Sequence, residues 1–142
     1  MSEKRGRVGF TCGAFDLLHA GHIMMLQEAK SVCDHLIVAV QSDPSIDRAS
    51  KNMPIQEYKE RIIQVEAVRY VDEVVLYDTE EDLVHLLTKL NPDVRIIGAD
   101  HKGKKFTGWE LPIDLYFNGR DHGYSTSELR QRIYEAEKLK TE

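Results

Sequence analysis

Two histidines near the N-terminus have types and spacing that could serve chemistry. His19 and His22 lie three positions apart, with Gly21 between them, just after a short apolar run. Imidazoles at this spacing can ligate a metal together with a carboxylate such as Asp16, but no second cluster in the sequence supplies the remaining ligands. They can also be polar residues of an ordinary turn, which the spacing alone favours.

A third interpretation of the two histidines is an anion site. His22 falls at or near the first turn of a helix predicted over residues 23–32, and Gly21 lets the backbone turn tightly before it. A helix start offers free backbone N–H groups and a partial positive charge, which together attract anions. Two imidazoles at this point add hydrogen-bond donors without the fixed charge of arginine. This combination suits a triphosphate whose charge shifts during reaction.

The elements that must position these histidines follow from the spacing of apolar residues. Short continuous apolar runs predict five strands, at residues 8–12, 35–40, 73–77, 94–97 and 114–117. Stripes at helical spacing predict four helices, marked by Leu26, Ile62, Leu86 and Ile133. Alternating strands and helices with short connections imply right-handed crossovers. The predicted fold class is therefore α/β, a doubly wound, mainly parallel five-stranded sheet with helices on both faces.

The end of the first predicted strand is the expected position of a ligand. Open parallel sheets bind ligands at the carboxyl ends of their strands, where the strand order reverses. Residues 13–22, GAFDLLHAGH, directly follow the first predicted strand. This stretch matches neither the P-loop nor the GxGxxG fingerprint, so the usual dinucleotide arguments do not apply to it.

Two other segments carry local signals. Residues 43–54 form the one long irregular segment, which is either a surface loop or a mobile lid that brings Arg48 and Lys51 over a ligand. Both interpretations stay open. Ser125 and Glu128 are three positions apart before an apolar stripe, which predicts a capping box at the start of the last helix.

Composition limits the class of protein. The chain has 142 residues, 42% of them hydrophobic and 30% charged, which predicts one domain over residues 1–142. With no signal-peptide pattern and no long apolar run, we expect a cytoplasmic protein without a membrane partner. A net charge of -5 argues against a general nucleic-acid binder, so any phosphate site must be local. Cys12 and Cys33 lack metal-binding spacing and are expected to be reduced and buried.

Three motifs in order resemble one superfamily. Residues 13–22 resemble the HxGH signature of the nucleotidyltransferases, and the chain as a whole is similar to the glycerol-3-phosphate cytidylyltransferase family. Arg61 and residues 69–74, RYVDEV, resemble that family's arginine-bearing helix and following segment. Residues 120–127, RDHGYSTS, lie where the family carries RTxGISTT. The family's GTFD threonine is Ala14 here.

The resemblance implies a Rossmann-like fold and a nucleotidyl transfer. A CMP group would pass from CTP to a small phosphorylated alcohol, most simply glycerol 3-phosphate, and pyrophosphate would leave. Mg²⁺ would be bound mainly through the triphosphate, with Asp16 beside it, and the protein would be a homodimer. The implied catalytic residues are His19, His22, Lys51 and Arg120, and the implied acceptor-binding residues are Arg61 and Arg69. The implied nucleotide-binding residues are Gly13, Ala14, Phe15, Asp16, Gly21, Gly98, Asp100, Ser125, Thr126 and Ser127.

Two alternatives to this function remain. The pattern FDxLHAGH resembles heptose-phosphate adenylyltransferases and flavin nucleotide synthases as well, which implies an adenylyltransferase acting on a sugar phosphate or on flavin mononucleotide. The second alternative is a nucleotide-binding regulatory module without catalysis. The retained histidines and hydroxyls count against this module.

Overall fold

Strands and helices alternate along the chain as the apolar pattern predicts. The structure is a computed structural model that describes residues 6–119 and 122–141. The strands are β1 Val8–Gly13, β2 His35–Gln41, β3 Glu73–Tyr77, β4 Val94–Gly98 and β5 Asp114–Asn118. The helices are α1 Ala20–Ser31, α2 Tyr58–Glu66, α3 Glu80–Leu90 and α4 Thr126–Lys140. Each predicted strand agrees with an observed one to within a residue at either end.

The sheet has the strand order β3-β2-β1-β4-β5, and all its pairings are parallel. The predicted doubly wound α/β class is confirmed. The chain winds outward from β1 to β3, then returns to the other side of β1 with β4 and β5. This reversal puts a switch point between β1 and β4, where open parallel sheets form their ligand crevice.

Two apolar clusters cover the two faces of the sheet. On one face α1 and α2 pack on the strands, and the side chains that meet there include Leu26, Ala29, Val38, Val65 and Ile96. On the other face α3 packs on the strands, and the side chains that meet there include Phe10, Ile37, Ala39, Leu83 and Leu87. Burial of each large side chain contributes roughly 1.5–3 kcal/mol. The central strand β1 is therefore fixed on both faces, which makes its carboxyl end a rigid support.

The structure also bears on the predicted thiols, the cap of the last helix and membrane-spanning helices. Cys12 and Cys33 are free thiols, as expected, although both are only partly buried by surface area. The Ser125 side chain accepts a hydrogen bond from the Glu128 amide at 3.1 Å, which is one half of the predicted capping box. Within residues 6–119 and 122–141, no helix combines the length and the hydrophobicity that a membrane span requires.

Candidate functional site

A cleft of about 1080 Å³ opens at the carboxyl ends of the strands, at the switch point between β1 and β4. Its lining contains thirteen of the sixteen predicted site residues, and these are His19, His22, Lys51, Gly13, Ala14, Phe15, Asp16, Gly21, Gly98, Asp100, Ser125, Thr126 and Ser127. Arg61 and Arg69 do not line it. Arg120 lies outside the described residues. The cleft thus gathers segments from both ends of the chain.

The loop after β1 has an unusual backbone. Phe15 and Leu17 have positive φ values of 54° and 52°, a region that non-glycine residues rarely adopt. The Phe15 side chain is nevertheless buried in the core, and its ring lies 5.6 Å from that of His22. Backbone strain of this kind costs on the order of 1 kcal/mol per residue and is concentrated at functional sites. The strained loop turns the chain from β1 into the start of α1.

The two histidines cap the start of α1 reciprocally. The Nδ1 atom of His19, the N-cap residue, accepts a hydrogen bond from the Gly21 amide at 3.0 Å. The Nδ1 atom of His22 accepts one from the His19 amide at 3.1 Å. This is a capping box in which imidazoles replace the usual hydroxyl and carboxylate. Because each Nδ1 accepts a hydrogen bond, each neutral ring must carry its proton on Nε2.

The start of α4 lies against the same histidine pair. His19 Nε2 lies 3.1 Å from the hydroxyl oxygen of Thr126, the first residue of α4. The His19 and His22 rings are 4.0 Å apart between centroids. The N-termini of α1 and α4 therefore meet at one point of the cleft. Both present free backbone amides and the positive ends of their dipoles, which makes the point strongly attractive to anions.

The charge state of His22 follows from its surroundings. The pKa of His22 is lowered to about 4, mainly by burial and also by the neighbouring His19, while Asp16 acts in the opposite direction. His22 is therefore neutral at physiological pH. With Nδ1 engaged by the His19 amide, the neutral ring is a hydrogen-bond donor through Nε2 and carries no formal charge.

Gly21 leaves room for a third imidazole. A Cβ atom at this position would lie 2.8 Å from Cε1 of His19 and 3.0 Å from Cε1 of His122. His122 also stacks on Tyr124, whose amide donates to His122 Nδ1 at 3.1 Å. The sequence prediction did not assign His122 to the site. The signal was present, because residues 121 and 122 are where the chain departs from RTxGISTT.

Asp16 holds two segments together. Its two carboxylate oxygens accept hydrogen bonds from the amides of Ile55 and Gln56, at 2.8 and 2.9 Å, and Arg130 lies 3.5 Å away. The carboxylate thus fixes the end of the irregular segment that carries Lys51. Each oxygen accepts one amide hydrogen bond and keeps a further lone pair, so the position of Asp16 beside a phosphate-bound magnesium ion stays a prediction. The part of the chain that the structure describes contains no group of three or more metal-ligating side chains.

Arg61 contacts backbone carbonyls of its own chain and not the cleft where an acceptor phosphate was predicted. Its side chain is only 1% exposed, and its guanidinium lies 5.2 Å above the Tyr58 ring. The guanidinium donates to four backbone carbonyls, those of Ala14, Gln41, Ser42 and Gln56. Arg61 therefore ties the loops after β1 and β2 together from beneath, and the predicted contact with an acceptor is corrected to this structural role.

Arg69 lies at the end of the sheet opposite to the cleft, too far for the predicted acceptor contact. Arg69 precedes β3 and so lies at the amino-terminal ends of the parallel strands. The cleft opens at their carboxyl ends. The exposed guanidinium of Arg69 donates to the Tyr70 hydroxyl at 3.0 Å and stacks on that ring. The motif alone does not show at which end of the strands its residues lie. The predicted contact of Arg69 with the acceptor is therefore corrected.

The cleft extends onto the α3 face of the sheet, in a region that the sequence prediction missed. We call it the α3 compartment, and its residues are Cys12, Gln41, Tyr77, Glu80, Arg95 and Thr107. The Glu80 carboxylate accepts hydrogen bonds from Gln41 Nε2 at 3.2 Å and from the Thr107 hydroxyl at 2.9 Å, and Arg48 lies 3.8 Å from it. Arg48 comes from the irregular segment, which therefore also reaches this compartment.

Comparison with known proteins identifies sequence relatives. The family model described as cytidylyltransferase-like matches residues 10–132. The bifunctional protein HldE of Campylobacter concisus (strain 13826) is 36% identical over 138 residues, which are 96% of this chain and 29% of that protein. HldE of Helicobacter pylori (strain HPAG1) is 38% identical over 134 residues, which are 94% of this chain and 29% of that protein. The chain spans less than a third of the length of these curated relatives.

Solved structures share the fold. The lipopolysaccharide core biosynthesis protein from Thermoplasma volcanium GSS1 has a TM-score of 0.59 at 24% identity, covering 92% of this chain and 88% of that one. Pantoate-beta-alanine ligase from Francisella tularensis has a TM-score of 0.56 at 16% identity, covering 94% and 72%. These likenesses establish the fold alone. Because the family match runs from β1 into α4 and so includes every segment that meets at the histidine pair, the chain belongs to the cytidylyltransferase-like family of the HxGH nucleotidyltransferase superfamily.

Proposed function

We propose that this chain transfers a nucleotidyl group, AMP from ATP, to the phosphate of a sugar phosphate, with release of pyrophosphate. The observation that carries the transfer chemistry is the pair of Nε2 donors of His19 and His22 at the joined N-termini of α1 and α4. The HldE relatives support the sugar-phosphate alternative over the glycerol-phosphate expectation. The second candidate is CMP transfer from CTP to glycerol 3-phosphate, which the family's description as cytidylyltransferase-like favours.

The proposed reaction needs positioning and charge stabilisation from the protein rather than a side-chain nucleophile. An oxygen of the acceptor phosphate attacks the α-phosphorus in line. As that P–O bond forms, the bond from the α-phosphorus to the bridging oxygen breaks, and pyrophosphate takes the electron pair. The Nε2–H of His22 donates to the α-phosphoryl oxygens and stabilises the charge that develops there. The Nε2–H of His19 does the same, shared between such an oxygen and the Thr126 hydroxyl that orients the ring. The amides at the start of α4, with Ser125 and Thr126, hold the β- and γ-phosphates, and Lys51 approaches from the irregular segment.

Magnesium belongs to this proposal only as a partner of the triphosphate. Asp16 alone does not form a protein cage for the ion, so no step is assigned to an ion held by the protein. When bound to the phosphates, a divalent cation neutralises the charge of the leaving pyrophosphate. Loss of turnover on addition of EDTA, and its recovery with excess Mg²⁺, is the expected result. Full turnover in EDTA would remove the ion from the proposal.

The α3 compartment supports an acceptor with several oxygen atoms. Glu80, Gln41 and Thr107 bring a carboxylate, an amide and a hydroxyl to the same part of the cleft. A sugar phosphate has more hydroxyls to pair with such groups than glycerol 3-phosphate has. These groups already pair with one another, and the hydroxyls of a polyhydroxylated acceptor can replace those partners without leaving a buried group unpaired, which supports the larger acceptor.

The deciding experiment is pyrophosphate release with each combination of two nucleotides and three acceptor classes. ATP and CTP are each paired with sugar 1-phosphates, glycerol 3-phosphate and flavin mononucleotide, and kcat/KM is measured for every pair. We expect the highest value with ATP and a sugar phosphate. Turnover confined to CTP with glycerol 3-phosphate would establish the second candidate. Nucleotide binding without any turnover would identify a regulatory module.

We also propose a homodimer, which rests on the resemblance to a dimeric family. Within the chain, Tyr70, Val71 and Val74 of the RYVDEV segment pack against the chain's own core, so an interface would have to use other parts of this region. Light scattering at micromolar concentration is expected to give twice the 16.3 kDa mass of the chain. A monomer mass over the whole concentration range would refute the dimer.

A further inference from the structure

Arg95 is a buried arginine in the floor of the cleft. Arg95 follows Val94 in β4 and pairs in register with Phe10 of β1, so its side chain lies on the α3 face with that of Phe10. Arg95 is only 5% exposed, and its guanidinium lies 5.2 Å above the ring of Phe106. One terminal nitrogen donates to the carbonyl of Thr107. The Nε atom is buried and has no hydrogen-bond partner among the described residues.

Among the described residues, no carboxylate forms an ion pair with Arg95. In residues 6–119 and 122–141, no carboxylate oxygen lies within 4.0 Å of its guanidinium. The carboxylate of the α3 compartment, Glu80, is already bound by Gln41, Thr107 and Arg48. A buried cation without a partner is costly, because it has lost its hydration without gaining an ion pair.

The other titratable groups of the compartment do not supply that charge. Burial raises the pKa of the Cys12 thiol, which therefore stays protonated at physiological pH. Burial also raises the pKa of the Tyr77 hydroxyl, with a further contribution from Cys12. Cys12, which interacts with Arg95, and its neighbour Tyr77 are therefore both neutral.

A glycine at position 108 leaves space for the Arg95 guanidinium. Gly108 has a φ of +81°, and a Cβ atom there would lie 2.9 Å from Nη1 of Arg95. A side chain at this position would therefore meet both an unfavourable backbone conformation and the guanidinium. The arginine thus lies in a pocket formed by β4, α3 and the loop through Gly108, and Arg95 is one of the residues that line the cleft.

We propose that Arg95 binds a second anionic group of the acceptor, a carboxylate or a phosphate, distinct from the phosphate that attacks the nucleotide. This inference rests on the proposed function, because it assumes that the ligand of the α3 compartment is the acceptor. Arg95 lies on the α3 face, whereas His19 and His22 begin α1, which packs on the opposite face. The anion at Arg95 is therefore at the end of the acceptor remote from the reaction, and the acceptor class narrows to phosphorylated sugars that carry a further acid.

The test follows the Nε–Hε cross-peak of Arg95 in ¹H–¹⁵N spectra of the whole chain, with inorganic phosphate and acetate as separate probes. The peak is assigned by its loss in Arg95→Gln, which keeps a donor for the Thr107 carbonyl. If that variant does not fold, Arg95→Lys serves the same purpose. We expect a saturable shift of this peak with one of the two anions, and the stronger of the two identifies the acceptor's second acid.

Arg61 provides a matched control within the same spectra. Its Nε is also buried but donates to the Gln56 carbonyl at 3.0 Å, so its cross-peak is expected to stay in place. An Arg95 peak unmoved by both phosphate and acetate would overturn the proposal. This titration measures anion binding and not turnover. It therefore tests Arg95 even if the proposed transfer reaction is wrong.

A kinetic measurement adds a second readout once an acceptor is known. Arg95→Gln is expected to raise the KM for the acceptor about tenfold or more, the loss typical of a hydrogen bond to a charged group, and to leave the KM for the nucleotide unchanged. The exposed Arg132→Gln in α4 is the control, with no change in either constant. An unchanged acceptor KM in Arg95→Gln would also contradict the proposal.

Discussion

His19 Nε2 and the Thr126 hydroxyl lie 3.1 Å apart, although 107 residues separate them in the chain. Because His19 Nδ1 accepts from the Gly21 amide, its Nε2 carries the proton and donates to Thr126. This bond joins the cap of α1 to the first residue of α4. This contact and the ion pair between Asp16 and Arg130 tie the two ends of the sequence together at the site.

Removal of this contact should weaken catalysis more than stability. Thr126→Val keeps the shape of the side chain but removes the acceptor, so His19 loses the bond that orients its ring. We expect kcat to fall about three- to tenfold, the equivalent of one neutral hydrogen bond. Thr126→Ser retains the hydroxyl and is the control. A Thr126→Val variant with the kcat of the Ser variant would mean that the bond does not orient His19.

The two histidines should act mainly on the transition state. His19→Ala and His22→Ala are each expected to lower kcat about a hundredfold or more, the loss typical of one preorganised donor. His19→Asn separates the two roles of this residue, because asparagine can still cap the helix. It should retain stability but not kcat. His85→Ala, on the exposed side of α3, is the control. If only the nucleotide KM changes, the catalytic role is wrong.

The low pKa of His22 predicts a dependence of stability on pH. The pKa is about 4 in the folded chain against 6.5 for an ordinary histidine, so as pH falls the unfolded chain takes up the proton first. The free energy of unfolding should therefore decrease as pH falls from 6.5 to 4, by up to about 3 kcal/mol from this group. Above pH 6.5 its full contribution is present.

Urea unfolding at a series of pH values checks this expectation. His22→Asn should show a shallower decrease than the wild type over this window, since the variant lacks the group that titrates. His85→Asn, which removes an exposed histidine, should show the wild-type decrease. Parallel curves for His22→Asn and the wild type would contradict the low pKa.

Asp16 is expected to matter for stability. Asp16→Asn leaves one of the amides of Ile55 and Gln56 without its acceptor and should cost about 1–3 kcal/mol. Arg130→Met removes only the 3.5 Å ion pair and should cost less than about 1 kcal/mol. Urea unfolding measures both. An Asp16→Asn variant that keeps the stability of the wild type would contradict this expectation, and an altered magnesium requirement in it would support the metal role that the resemblance implies.

The sequence predicted the strands and helices well because each element has a strong local pattern. The strands are short and rich in β-branched residues, and α3 has its apolar residues at regular helical spacing. Local pattern and tertiary packing agree in these segments, so the prediction needs no knowledge of long-range contacts.

The site was predicted less completely, for reasons that differ between residues. The spacing of His19 and His22 is also that of a capping box, but imidazoles are unusual in this role and the pattern alone did not indicate it. Arg61 and Arg95 are both buried, and what separates them is which carbonyls the fold brings to each guanidinium. Such partners come from distant segments, and no local signal in the sequence reports them.

Helix α4 contributes Thr126 to the site yet has no fully buried residue among those the structure describes. Ile133, Tyr134 and Leu139 are 47%, 59% and 71% exposed. A helix with so little buried surface detaches from a domain at a smaller free energy than the sheet needs to unfold, so its amides should exchange hydrogen with solvent well before those of β1. Each detachment separates Thr126 from His19 and opens the anion site. If this site binds phosphate as proposed, we expect the rate at which the phosphate escapes to follow the motion of this helix.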